Sequence, residues 1–80
     1  MEAEKNKQNA EALPVVKING EEYQDQYDNR QLSEVIDELK YDRTRIAVEI
    51  NEEIVPKADY DKTIIKAGDV IEVVSFVGGG

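Results

Sequence analysis

The sequence predicts a small two-layer α+β domain, and three observations predict it. One stretch, Leu32 to Leu39, carries apolar residues at helical spacing, and short β-prone runs lie on either side of it. The first of those runs ends in Asn19-Gly20, a strong hairpin signal because both residues accept positive φ. The last, Val70 to Val77 (VIEVVSFV), is largely apolar at both alternating parities. A lone amphipathic helix must bury its stripe on one face of one sheet. A strand apolar on both faces belongs in the middle of that sheet.

The elements follow in order. Met1 to Leu13 (MEAEKNKQNAEAL) has too little apolar surface to offset the entropy of ordering its backbone, so residues 1–14 are expected to be a mobile extension ending at Pro14. Val15 to Ile18 reads as a strand, Asn19-Gly20 as its turn, and Glu21 to Asp25 as the returning strand, with Tyr23 its main apolar contact. In the helix, Leu32, Val35, Ile36 and Leu39 fall at i, i+3, i+4 and i+7 and form a core-facing stripe. Asp28 is the expected N-cap, with Gln31 three residues on and Asn29 as its competitor. Ile46 to Asn51 alternates as a strand with Ile46, Val48 and Ile50 inward. A turn at Asn51-Glu52-Glu53 leads to the apolar pair Ile54-Val55, stopped by Pro56. Between Lys57 and Ile65 a helical turn is expected near Ala58 to Asp61, followed by irregular chain. Ala67-Gly68-Asp69 turns into the last strand. A hairpin, a helix across the sheet and a final central strand describe a β-grasp: a mixed sheet of four to five strands with one main helix on one face. The expected divisions are 1–14, a domain over 15–77, and a flexible glycine tail, Gly78-Gly79-Gly80.

Composition narrows the function. Eighteen acidic residues against ten basic give a net charge of −8, which repels nucleic acid and anionic membrane alike. With no Cys and no His, the chain lacks thiolate nucleophiles, the usual zinc ligands and the side chain best suited to proton transfer near neutral pH. Ser33 and Ser75 therefore have no His to activate them. Glu21-Glu22, Asp37-Glu38 and Glu52-Glu53 lack calcium-loop spacing and read as solvated surface. No catalytic residue and no metal site is expected. The N-terminal stretch has no apolar signal core and no run approaches a membrane span, so the expected location is the cytoplasm.

Specific residues carry a family resemblance. They are Lys-Ile-Asn-Gly at 17–20, Ala-Val-Glu-Ile-Asn at 47–51, Ile54-Val55-Pro56-Lys57, Ala67 to Glu72 and the terminal Val74 to Gly80 (VSFVGGG). Together and in this order they resemble the sulfur carrier proteins of thiamin biosynthesis, over Val15 to Gly80. The thirteen-residue extension and the long polar loop Asp25 to Arg30 depart from that pattern. The resemblance implies that the chain is a protein cosubstrate with no bound cofactor. A ubiquitin-activating-type enzyme would use ATP and magnesium to adenylate the Gly80 carboxylate. Sulfur from a cysteine-derived persulfide, supplied by a donor such as a cysteine desulfurase, would displace AMP. The resulting thiocarboxylate on Gly80 would serve thiazole synthase. The small subunit of molybdopterin synthase uses similar tail chemistry but tends to carry Pro before its final glycines, where this chain has Ser75-Phe76-Val77-Gly78. A β-grasp module that binds partners without chemistry at its end is the reading from another class.

The residue chemistry suits such a tail. A carboxylate is a poor electrophile and needs a leaving group such as AMP. Glycines place no Cβ beside the reacting carbon and form a thin thread that can enter an enclosed site. Ordering each glycine costs about 1–2 kcal/mol, so the body must contribute contacts of its own. Alternation along the last strand puts Ile71 and Val73 under the helix and Glu72, Val74 and Phe76 on the other face. Val74 and Phe76, beside Ala47 and Glu49, are the expected partner-binding patch.

Overall fold

The computed structural model describes residues 13–76. The extension as far as residue 12 and the tail, including Gly78, Gly79 and Gly80, lie outside the described residues. Five strands form one mixed sheet: β1 (Val15–Ile18), β2 (Glu21–Gln24), β3 (Ile46–Ile50), β4 (Glu53–Val55) and β5 (Val70–Ser75). Their order is β2-β1-β5-β3-β4, which puts β5 at the centre. β1 and β5 run parallel; the other neighbours are antiparallel. Helix α1 (Leu32–Glu38) buries Leu32, Val35 and Ile36 against Val16, Ile18, Ile46, Val48, Ile71 and Val73. This is the expected β-grasp.

Both antiparallel hairpins close through two-residue turns with left-handed backbone at each position. Asn19 and Gly20 have φ of 51° and 86°; Asn51 and Glu52 have 53° and 71°. Such turns match the strand twist, and Asn tolerates the left-handed region well. Glu53, expected in the turn, is instead the first residue of β4.

The start of α1 corrects the sequence reading. Neither Asp28 nor Asn29 caps it: Asn29 sits in the left-handed region at φ 66°, and the N-cap is Gln31, without a side-chain cap. The first-turn N–H groups find distant carbonyls instead. Leu32 N–H donates to Thr63 O (2.8 Å) and Ser33 N–H to Tyr60 O (3.1 Å), while Gln31 Nε2 donates to Asp61 O (2.9 Å). Orphan donors at a helix start must be satisfied somewhere, and here the loop after β4 satisfies them. At the other end Lys40 (φ 68°) stands where glycine is usual. Its N–H donates to Asp37 O and that of Tyr41 to Ile36 O, closing a Schellman motif.

Two loops contribute core that their composition hides. Tyr27, in the polar stretch 25–30, is buried, stacks at a tilt on the half-buried Tyr23 and lies beneath the Arg30 guanidinium. The expected helical turn near Ala58 is a 3₁₀ turn at Lys57–Asp59. The chain after it buries Tyr60 and Ile65 completely. Burial raises the Tyr60 hydroxyl pKa, with the charge of Arg43 acting against the shift.

Candidate functional site

The face of the sheet opposite α1 has no covering element among the described residues, and its side chains follow from register. Val74 stands opposite Ala47 and Glu72 opposite Glu49 across the β3–β5 ladder. Val74 is 52% exposed and Phe76 56%, whereas Ile71 and Val73 are buried under the helix. The structure thus puts Val74, Phe76, Ala47 and Glu49 on one open face: Ala47, Val74 and Phe76 lie toward the C-terminal end of β5, and Glu49 lies beside Glu72 nearer its start.

Two apolar residues on this face escaped the sequence reading. Val70 shares the parity of Glu72 and Val74 and is 42% exposed. Ile54 stands opposite Glu49 across the β3–β4 hairpin and is 71% exposed. The parity of Val70 was available in the sequence. The position of Ile54 required knowing that the turn has two residues, because a one-residue slip reverses every face. Glu49, Glu52 and Glu72 with Val70 and Asn51 also border a shallow depression of about 530 Å³ on this face.

The tail-side end of β5 is held by backbone. Phe76 N–H donates to Arg45 O (2.8 Å), in a 3₁₀ turn at Arg43–Arg45. Asp42 caps that turn, accepting from the Thr44 hydroxyl (2.6 Å) and the Thr44 N–H (3.0 Å). Those two bonds hold the Asp42 carboxyl below the usual carboxylate range, assisted by Arg45. Lys57 Nζ adds a bond to Ile46 O (2.7 Å) at the start of β3. Phe76 is therefore exposed as a side chain and anchored as backbone.

Ser33 is buried within α1, and Ser75, at the end of β5, is exposed. Among the described residues no group of three or more His, Cys, Asp or Glu is placed to hold a metal ion, and no helix is long and apolar enough to cross a membrane.

Comparison with known proteins gives this arrangement a context. The ThiS family model matches residues 7–80. The sulfur carrier protein ThiS of Bacillus subtilis is 30% identical over 66 residues, which cover 82% of this chain and 100% of that protein. A thiazole synthase of Paramagnetospirillum magneticum is 46% identical over 46 residues, 58% of this chain but only 14% of that much longer protein. The crystal structure of the thiamine biosynthesis protein ThiS from Geobacter metallireducens superposes with a TM-score of 0.69 at 29% identity, covering 82% of this chain and 99% of that one. A family match over nearly the whole sequence, agreement in fold and a full-length carrier relative converge: this chain belongs to the ThiS family, the small sulfur carriers of thiamin biosynthesis, and is a carrier rather than a catalyst.

Proposed function

We propose that the chain carries its sulfur on the carboxyl group of Gly80. The observation behind this reading is a family match that runs through residue 80 and so takes in all three glycines. A ubiquitin-activating-type enzyme transfers AMP from magnesium-bound ATP to the Gly80 carboxylate and releases pyrophosphate. Hydrosulfide can then attack the acyl carbon directly and expel AMP. A persulfide from a cysteine desulfurase does so as an acyl disulfide, which a second thiol cleaves to the thiocarboxylate and a disulfide. The sulfur passes to thiazole synthase as the thiazole ring forms. This reading places the carrier in the cytoplasm, where ATP and the donor are available. ATP and magnesium belong to the activating enzyme; this chain supplies the acyl group and the surface by which it is recognised.

Intact mass tests the chemistry. After incubation with the activating enzyme, ATP, magnesium and sulfide, replacement of one carboxyl oxygen by sulfur raises the mass by about 16 Da. A mass that stays unchanged, while the same enzyme converts another family member, would sink the reading.

Val74 and Phe76, flanked by Ala47 and Glu49, form the surface the partners grip in this proposal. Burying one large apolar side chain contributes about 1.5–3 kcal/mol, enough to offset a good part of ordering the glycines. Phe76→Ala and Val74→Asp should therefore weaken binding to the activating enzyme, by titration calorimetry, with little change in melting temperature. Both side chains are already more than half exposed, so the core loses nothing. An unchanged affinity, or a collapse of stability, would remove the patch from the proposal.

A further inference from the structure

Strand β5 outlasts one of its neighbours. β1 pairs with it through Lys17↔Val70 and Ile18↔Ile71, and Asn19 N–H donates to Ile71 O (2.9 Å). There the chain turns away at Asn19-Gly20, while β5 continues to Ser75. Val73 would be left facing the β1 side with no strand beside it. The Asn19 side chain fills that place. Val73 N–H donates to Asn19 Oδ1 (2.7 Å), and Asn19 Nδ2 donates to Val73 O and to the Tyr41 hydroxyl, each at 3.2 Å. A carboxamide sets a carbonyl acceptor beside an NH₂ with two donors. The acceptor and one donor stand in for a peptide unit, so it extends the ladder by one residue without a strand, and the second donor reaches Tyr41. Asn also suits the left-handed turn position from which it reaches.

Past Val73, among the described residues, the ladder persists only on the β3 side, through Ala47↔Val74, Ile46↔Ser75 and the bond from Phe76 N–H to Arg45 O. Asn19 therefore marks the last point at which β5 is held from both flanks, one residue before the exposed Val74. Asn51 makes a matching contact at the opposite end of β5. Val70 N–H donates to its Oδ1 (3.0 Å), and its Nδ2 donates to Asp69 Oδ1 (3.0 Å). The two asparagines hold the same strand, one near its exit toward the tail and one at its entry.

We propose that Asn19 is a positioning residue for sulfur transfer: its carboxamide fixes where the Val74–Phe76 segment, and the tail beyond it, leave the body. The inference rests on the reading that the chain docks through this segment to deliver Gly80. If the clamp is lost, the segment frays from the β1 side and must be reordered at each docking event. That cost falls on binding and not on the chemical step.

Asn19→Gly retains the left-handed turn and removes the clamp, and Asn51→Gly is the matched control at the other end of β5. In the isolated chain, the amides of Val73 and Phe76 should exchange with solvent up to about tenfold faster in Asn19→Gly, and much less so in Asn51→Gly. In ATP–pyrophosphate exchange with the activating enzyme, KM for the Asn19→Gly carrier should rise about 3–10-fold with kcat unchanged, whereas Asn51→Gly stays near wild type. Asn19→Asp keeps the acceptor for Val73 N–H but loses the donor. It should fall between wild type and glycine, and it serves as the readable variant if glycine proves too destabilising. Equal KM changes at both asparagines, in proportion to lost stability, would reduce Asn19 to a structural residue. Unchanged KM and exchange rates in the Asn19 variants would overturn the proposal outright. A wild-type chain that supports no pyrophosphate exchange would instead count against the carrier chemistry, and the amide exchange rates would still decide whether the clamp holds the segment.

Discussion

Removing Gly80 is expected to abolish both pyrophosphate exchange and the mass increase while leaving the melting temperature unchanged. If the body is gripped through Val74 and Phe76, the distance from that grip to the activating enzyme's nucleotide is set by the number of residues between. An extended chain spans about 3.3–3.6 Å per residue, so losing one withdraws the carboxylate by about that distance. Reaction requires the attacking and attacked atoms within about 3–3.5 Å, and a displacement of about 1 Å can already cost on the order of 10²-fold in rate. A body held in place cannot restore the lost reach. One added residue after Gly80 should fail for the converse reason, because it moves the terminal carboxylate past the nucleotide. No core residue is touched by either change, so thermal unfolding should match the parent. Normal exchange by the truncated chain would refute the assignment of the chemistry to Gly80.

Tyr60→Ala should have the largest effect on stability. Tyr60 is 1% exposed and is the largest of the fully buried side chains. Replacing a buried aromatic by Ala typically costs about 3–5 kcal/mol, through lost burial and the cavity left behind. Domains hold about 5–15 kcal/mol in total, and a domain this small sits toward the lower end. The variant should therefore be largely unfolded near 37 °C, and its urea midpoint should fall steeply. Tyr60→Phe keeps the ring and should remain close to the parent. The Tyr60 carbonyl also accepts from Ser33 N–H at the start of α1, so helix content should fall with the core and not separately from it. A loss below about 1 kcal/mol for Tyr60→Ala would show that the loop after β4 contributes little to the core.

The open face was legible in advance because it depends only on alternation within one strand. Given one helix and one sheet, the parity of Glu72 places Val74 and Phe76 toward solvent, and the exposures agree. Ile54 was not legible, since its face depends on the register of a hairpin whose turn, Asn51-Glu52, lacks the usual glycine. Nor was Asn19 legible as more than a turn residue. Its partner Val73 lies 54 residues away, and nothing local indicates that the carboxamide will pair with a strand.

By itself, the sequence determined the class of the fold, the central position of β5, the face its side chains present and the family to which the chain belongs. Each of these rests on short-range pattern: a period of two or 3.6, a turn dipeptide, an ordered set of motifs. The tertiary structure alone decided where α1 begins, which loop tyrosines enter the core and how the end of β5 is held. Asp28 and Asn29 are good local caps, yet the helix starts at Gln31 because the carbonyls of Tyr60 and Thr63 lie there to accept its free N–H groups. A buried polar group takes whatever partner the packed chain brings to it, and that partner is set by three-dimensional proximity, which no local window of sequence contains.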